Sequence, residues 1–186
     1  MLSAIAMVQR FRSDCRGLAA VEFALIVPLM FTFLFGTIEI TNGVTVNRKV
    51  ELVSRTLSDL TSRATAVSST DVTSFFTVGG AIMQTYSATP LNATVTEVYV
   101  DPTTGTGKVQ WSQGSSARKV NDPVTVPAGL ITKDSSGKVV ADQYLILSEV
   151  SYLYTPAVGY VMKTAVNLSA STFTRPRQSS SVTYTP

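Results

Sequence analysis

Glu22 is the residue whose placement asks most plainly for chemistry. It stands directly before Phe23–Ile38, a run of 16 positions without a charge. A charged side chain at mid-bilayer costs about 2.5–3.5 kcal/mol on insertion scales, and one near a membrane edge still needs a cation. The other reactive groups point to less. There is no histidine, so Ser-His-Asp, Cys-His and His-ligated metal sites are excluded. Cys15 is the one cysteine, so no intrachain disulfide and no Cys-x-x-Cys site can form. An enzyme would have to be built from carboxylates, Lys, Arg, Tyr or Ser. Gly105-Thr106-Gly107-Lys108 fails as a phosphate loop, because Pro102 and Val109 stand where Gly and Ser or Thr are required; it reads as a hairpin turn. Asp101, Asp122, Asp134 and Asp142 lack calcium-loop spacing. Tyr144, Tyr152 and Tyr154 read as core and cross-strand packing, with an adhesive surface as the other reading. Arg175-Pro176-Arg177 reads as a solvated basic tail, and the sequons at Asn92 and Asn167 are expected by chance in so Ser/Thr-rich a chain. The expectation is a protein with no catalytic residues, no cofactor and no metal.

The elements that must position Glu22 follow from composition. The chain has 186 residues, enough for one domain, with 45% hydrophobic and only 15% charged residues. Its net charge of +3 is small and scattered, unlike a nucleic-acid footprint. Sixteen helical residues reach about 24 Å, short of a bilayer core of about 30 Å. Leu18–Ile40 would span, but only by taking in Glu22. A secretory signal peptide fits poorly, since 22 residues precede the run and Thr37-Ile38-Glu39 offers no Ala-x-Ala site. A buried core helix fits poorly too, since the run is apolar on every face. A membrane anchor bracketed by Glu22 and Glu39 remains. Arg10, Arg12 and Arg16 precede it and Arg48, Lys49 and Arg55 follow, so the positive-inside count is nearly balanced. The short N-terminal tail is expected on the cytoplasmic side. Phe11-Arg12-Ser13-Asp14 before Cys15 is no lipobox.

The residues around Glu22 read Arg16-Gly17-Leu18-Ala19-Ala20-Val21-Glu22-Phe23. A basic leader ends in Gly17, and a glutamate stands fifth after it at the head of an apolar helix. This resembles the processing site of type IV prepilins and pseudopilins. The fuller string GLAAVEFALIVPL is similar to the opening of the TadE-like family, minor pilins of the tight-adherence (Tad, or Flp) pilus. VPAGLI (126–131), YLILSEVSYLYTP (144–156) and FTRPR (173–177) look like that family's periplasmic half. The resemblance implies cleavage by a prepilin peptidase after Gly17, with Leu18, Glu22 and Phe23 completing the recognised site. Cleavage would leave a mature chain without cysteine and give Leu18 a positive α-amine near neutral pH. Leu18 and Glu22 are i and i+4, one helical turn apart, so the amine can neutralise Glu22 of its own or a neighbouring subunit. The second pairing is the family's usual model of subunit registration.

Beyond the anchor, Val46, Val50, Val53, Leu57, Leu60 and Ala64 form a helical stripe, with Glu51–Arg55 and Asp59–Arg63 as i,i+4 pairs. Under three heptads long, the stripe is expected to pack on the protein's own sheet. Ser68–Asp71 reads as a loop with Asp71 as N-cap of a second, weaker helix through Val72, Phe75, Phe76, Gly79, Met83 and Tyr86. From Leu91 the period becomes two, giving strands over 91–100, 108–113, 142–155 and 163–174, with 113–130 rich in loop. The expected fold is α+β: a long N-terminal transmembrane helix packing on one face of a mostly antiparallel four-stranded sheet, pilin-like. The expected organisation is a leader over 1–17, a transmembrane helix over 18–41, its extension over 42–66 and a periplasmic α+β domain over 67–186.

The expected role is therefore assembly: a minor pilin or pseudopilin of a Tad (type IVb) pilus, single-pass in the bacterial inner membrane, acting in pilus assembly and surface adherence. The implied partners are the prepilin peptidase, other pilin and Tad assembly subunits and inner-membrane lipid, with no nucleic acid. The rival readings are an uncleaved membrane-anchored periplasmic binding module and a type II secretion pseudopilin.

Overall fold

The computed structural model describes residues 17–86, 91–156, 159 and 163–186. The chain divides into two compact units, one comprising residues up to Asn42 with 156–164, the other Gly43–Thr155 with Ala165–Pro186.

Helix α1 runs Leu18–Ser62. Ala, Leu, Phe and Met give its first part high helix propensity. Pro28 lies inside it and removes one N–H from the ladder. The hydroxyls of Thr32 and Thr37 donate back to the carbonyls of Pro28 and Phe33, each at 2.8 Å. In the first unit none of the most apolar stretch of α1 is buried. Glu39, which brackets the apolar run at its far end, is 1% exposed and engaged in an interaction.

In the second unit, α1 buries Val46, Val50, Val53 and Leu57 completely. The stripe then departs from expectation: Leu60 and Ala64 are only partly covered, while Ser54, Ser58, Thr61 and Ser62 are buried. The reason is that hydroxyls fit closer to a sheet than leucines do. Ser54 Oγ donates to the Ser148 carbonyl (3.0 Å), and Ser58 Oγ lies 2.7 Å from Thr174 Oγ1. Of the two expected ion pairs, Asp59–Arg63 forms at 2.6 Å, whereas the Glu51 carboxylate accepts from Asn47.

Helix α2, Ser69–Ile82, is capped by Ser68. Asp71 is not the N-cap but the third helical residue. It closes a capping box, its carboxylate accepting from the Ser68 N–H (2.9 Å) while Ser68 Oγ accepts from the Asp71 N–H (3.2 Å). The Ser68 hydroxyl, which donates to the same carboxylate at 2.7 Å, and the Ser68 N–H hold the Asp71 carboxyl below its ordinary range. Gly79, a weakness in a helix by propensity, is where α2 meets α1: a Cβ there would lie 3.1 Å from Val53.

The strands are β1 (Ala66–Ser68), β2 (Leu91–Val100), β3 (Gly107–Gly114), β4 (Pro123–Val124), β5 (Gln143–Tyr154), β6 (Val166–Thr174) and β7 (Thr183–Thr185). The expected four-stranded sheet is corrected to five strands, all antiparallel, in the order β4-β3-β2-β5-β6. The added strand is two residues beginning on a proline, too short to leave a period in the sequence. A separate parallel pair, β1 with β7, was also not expected. β2 is buried from Ala93 to Val98 without alternation, because both faces of the sheet are covered. Val95, Glu97, Ile146 and Ser148 share the face that meets α1. On the other face, Val98, Val100, Val109, Leu145 and Leu147 pack against Val124 and Val126, with Leu130, Ile131 and Val139 at the margin. The segment after β4, read as plain loop, thus closes the second half of the core.

Candidate functional site

The expected site lies at the head of α1. Gly17 immediately precedes the helix, and a Cβ there would meet nothing within 4 Å among the described residues. Nothing in the local packing therefore requires a glycine. Leu18 and Phe23 are 68% and 67% exposed, and Glu22 is exposed. The helix places Leu18 and Glu22 one turn apart on one side, as their spacing requires. The leader residues Arg10, Arg12, Asp14, Cys15 and Arg16 lie outside the described residues. Chemically, the arrangement offers an accessible peptide bond after Gly17 and a carboxylate one turn away from the amine that cutting there would create.

Residues 17–57 match the family model described as TadE-like protein. The match opens on Gly17, contains Leu18, Glu22 and Phe23, and ends at the last fully buried residue of the stripe, Leu57. The later stretches 126–131, 144–156 and 173–177 lie outside it. No curated protein and no solved structure matches the chain. Among the described residues one helix is long and apolar enough to cross a membrane, which is compatible with a single-pass anchor.

The remaining candidates take structural places. Gly105 sits at φ 69° in the β2–β3 turn, closed by Asp101 N–H to the Thr106 carbonyl at 2.9 Å, so the Gly-Thr-Gly-Lys string is a hairpin turn. The Lys108 ammonium beside it, 2.8 Å away, holds the Asp101 carboxyl down at about 2. Asp122 accepts from the Lys119 N–H and Asp134 from the Ser136 and Lys138 N–H groups, each closing a local turn. Tyr144 faces Tyr99 across β5 and β2 with ring centroids 5.2 Å apart, and Tyr152 and Tyr154 are buried. This is the packing reading. Arg175 and Arg177 are exposed, as expected of a solvated piece, and each also makes side-chain bonds. Arg175 donates to the Leu130 carbonyl and Thr132, and Arg177 pairs with Asp59 at 2.8 Å.

Two constellations were missed by the sequence reading. Arg118 grips Glu149 with two bonds (2.6 and 3.0 Å) in a polar depression of about 610 Å³ on the sheet, lined by Asn92, Thr94, Ser116 and Ser169. Glu97, 3% exposed, accepts from the Val182 N–H, while Trp111 Nε1 donates to the Val182 carbonyl (2.6 Å) and its ring stacks on Tyr184. Burial pushes the Glu97 carboxyl up, against the lowering pull of the Val182 N–H and the indole. Neither pair has a local signal, since the partners stand 31 and 85 residues apart in sequence.

Proposed function

We propose that the protein is a minor pilin or pseudopilin of a Tad-type (type IVb) pilus, acting in pilus assembly and surface adherence and not in catalysis. A prepilin peptidase removes the leader after Gly17. The helix from Leu18 stays in the bacterial inner membrane with its N-terminus cytoplasmic, and the pilin-like α+β domain faces the periplasm, where it meets other pilin and Tad assembly subunits. The observation that carries this reading is the coincidence of Gly17, Glu22 and an exposed apolar helix at the first residues of the TadE-like match.

The mechanism follows from electrostatics. Cutting converts the Leu18 amide into a cation beside the apolar helix. In a bundle of such helices, each amine and each Glu22 needs a partner, and leaving one buried charge unpaired typically costs about 3–5 kcal/mol. A subunit one register too high or too low leaves both charges alone. The carboxylate thus sets axial register.

The reading is tested by intact-mass measurement and N-terminal sequencing of the native protein recovered from membranes. The expected N-terminus is Leu18, and Gly17→Asp accumulates the full-length chain because a charged side chain crowds the scissile bond. Recovery of intact Met1–Gly17 in the native protein would favour the uncleaved anchored binding module instead.

A further inference from the structure

The two edges of the five-stranded sheet differ. β4 is two residues long and begins on Pro123, which has no N–H to offer a further strand. β6 is nine residues long and pairs with β5 in unbroken register from Tyr154↔Val166 to Ile146↔Thr174. It contains no proline, no glycine and no charge. Among the described residues no strand pairs with its outer side. Proteins ordinarily guard such an edge with Lys, Pro, a bulge or a covering segment, because its free backbone groups are a template for another strand. β6 carries none of the first three.

Basic groups outnumber acidic ones in the groove beside the C-terminal end of this edge. From Thr155 to Pro186 the chain carries Lys163, Arg175 and Arg177 and no Asp or Glu. Beside the C-terminal end of β6, a groove of about 510 Å³ is lined by Arg55, Asp59, Leu60, Arg63, Thr172 and Arg177. Asp59 is shared between Arg63 and Arg177 at 2.6 and 2.8 Å. The groove therefore holds three guanidiniums, two of them paired to its one carboxylate. A second copy of the chain is a poor occupant, since its own β6 is uncharged and flanked by the same basic residues.

We propose that β6 accepts a sixth strand from an acidic, extended segment of another protein. The partner's backbone pairs with the edge, and alternate side chains face α1. Carboxylates at those positions, opposite Thr172–Thr174, reach Arg55, Arg63 and Arg177. The site goes beyond the pilin reading and needs neither leader cleavage nor a pilus.

The test uses the purified full-length chain in detergent micelles and a synthetic peptide of β6 length alternating Glu with Val. Two control peptides carry Lys for Glu, or N-methyl groups on the backbone amides that would pair. Binding is followed by fluorescence anisotropy, and hydrogen exchange is read at the amides of 166–174. The Glu peptide is expected to saturate, to slow exchange in β6, and to weaken as salt rises. The Lys peptide should bind about tenfold more weakly or worse, and the methylated peptide not at all. Arg55→Glu, an exposed change, should weaken the Glu peptide while leaving the melting temperature unchanged. Equal binding of the Lys peptide, binding without protection of β6, no binding of the Glu peptide, or self-association of the chain through β6 would each overturn the proposal. None of these outcomes bears on whether Leu18 is the mature N-terminus.

Discussion

Between Leu18 and Asn42, α1 leaves Leu18, Phe23, Leu25 and Phe33 67–74% exposed, whereas between Gly43 and Ser62 it buries Val46, Val50, Val53 and Leu57 completely. Both halves belong to one α-helix, with one N–H missing from the ladder at Pro28 in the first. What differs is where the side chains find their solvent. The first half is apolar on every face and finds no protein to cover its most apolar stretch. Residues 18–42 reach about 38 Å as a helix, enough to cross a bilayer core of about 30 Å. The second half is apolar on one stripe and meets a sheet. The hydroxyls follow this division only in part. Thr32 and Thr37 bond the helix's own carbonyls, and so do Thr56 and Thr61 in the second half. Ser54 and Ser58 instead bond carbonyls and hydroxyls of β5 and β6.

The comparison breaks most sharply with a pair of leucines. Leu57→Ala opens a cavity in a packed core, at a cost of about 2–5 kcal/mol. For a domain of this size that lowers the melting temperature by on the order of 10 °C. Leu25→Ala, at a position 74% exposed, should leave the melt of the domain where it was. Circular dichroism melts of both variants in the same detergent decide the matter. Equal shifts would show that the two halves share one solvent after all.

A pair of hydroxyls sharpens the same contrast on a smaller scale. Ser58→Ala removes the group lying between Thr174 Oγ1 and the Ile146 carbonyl, and should cost about 1 kcal/mol, with the buried partner left short of a bond. Thr32→Ala removes a bond that begins and ends inside one helix, and should not move the domain's melt at all. Urea titrations monitored at the single tryptophan, Trp111, would resolve the difference.

These contrasts also mark what could be read from the sequence. Local features were legible: the uncharged run after Glu22, the Gly17–Glu22 spacing, the stripe from Val46 to Leu57 and the Asp101–Gly107 turn each lie within a few residues of chain. Four of the five sheet strands were legible because their periods run for at least six residues. The N-cap moves from Asp71 to Ser68 within one turn of chain, but the larger corrections depend on distant partners. Ser54 and Ser58 look like polar interruptions of a stripe until β5 and β6 are set beneath them. Arg177 is exposed as expected, but its pairing with Asp59 appears only when the tail returns to α1. β4 and the apolar residues after it show no period, yet they close one face of the core. The open edge of β6 appears only when the strand order is known.

Carboxylates extend the comparison to its smallest expected effect. Glu22 on the first half of α1 is exposed, whereas Glu97 in the domain is held beneath the C-terminal tail by the Val182 N–H. Because burial raises the Glu97 carboxyl above its unfolded value, the native state holds the proton more tightly than the unfolded chain does. Its contribution to stability is therefore fully present below the unfolded value, about pH 4.3. It is lost as pH rises through the native value. The ionisable groups that share its pocket are Arg118 and Tyr144 on the sheet side and Tyr184 on the tail. Glu97→Gln keeps a hydrogen-bond acceptor for the Val182 N–H and cannot ionise. The variant should match the parent protein near pH 4 and gain on it steadily toward neutrality, by a few degrees in melting temperature. Trp111 donates to the same Val182 carbonyl side of the tail, so its emission in the parent should shift over that pH range and stay flat in the variant. Parallel stability curves with a flat Trp111 signal in both proteins would mean that Glu97 keeps its proton, or its charge, throughout, and that the tail is fastened by Trp111 and the β1–β7 pairing alone.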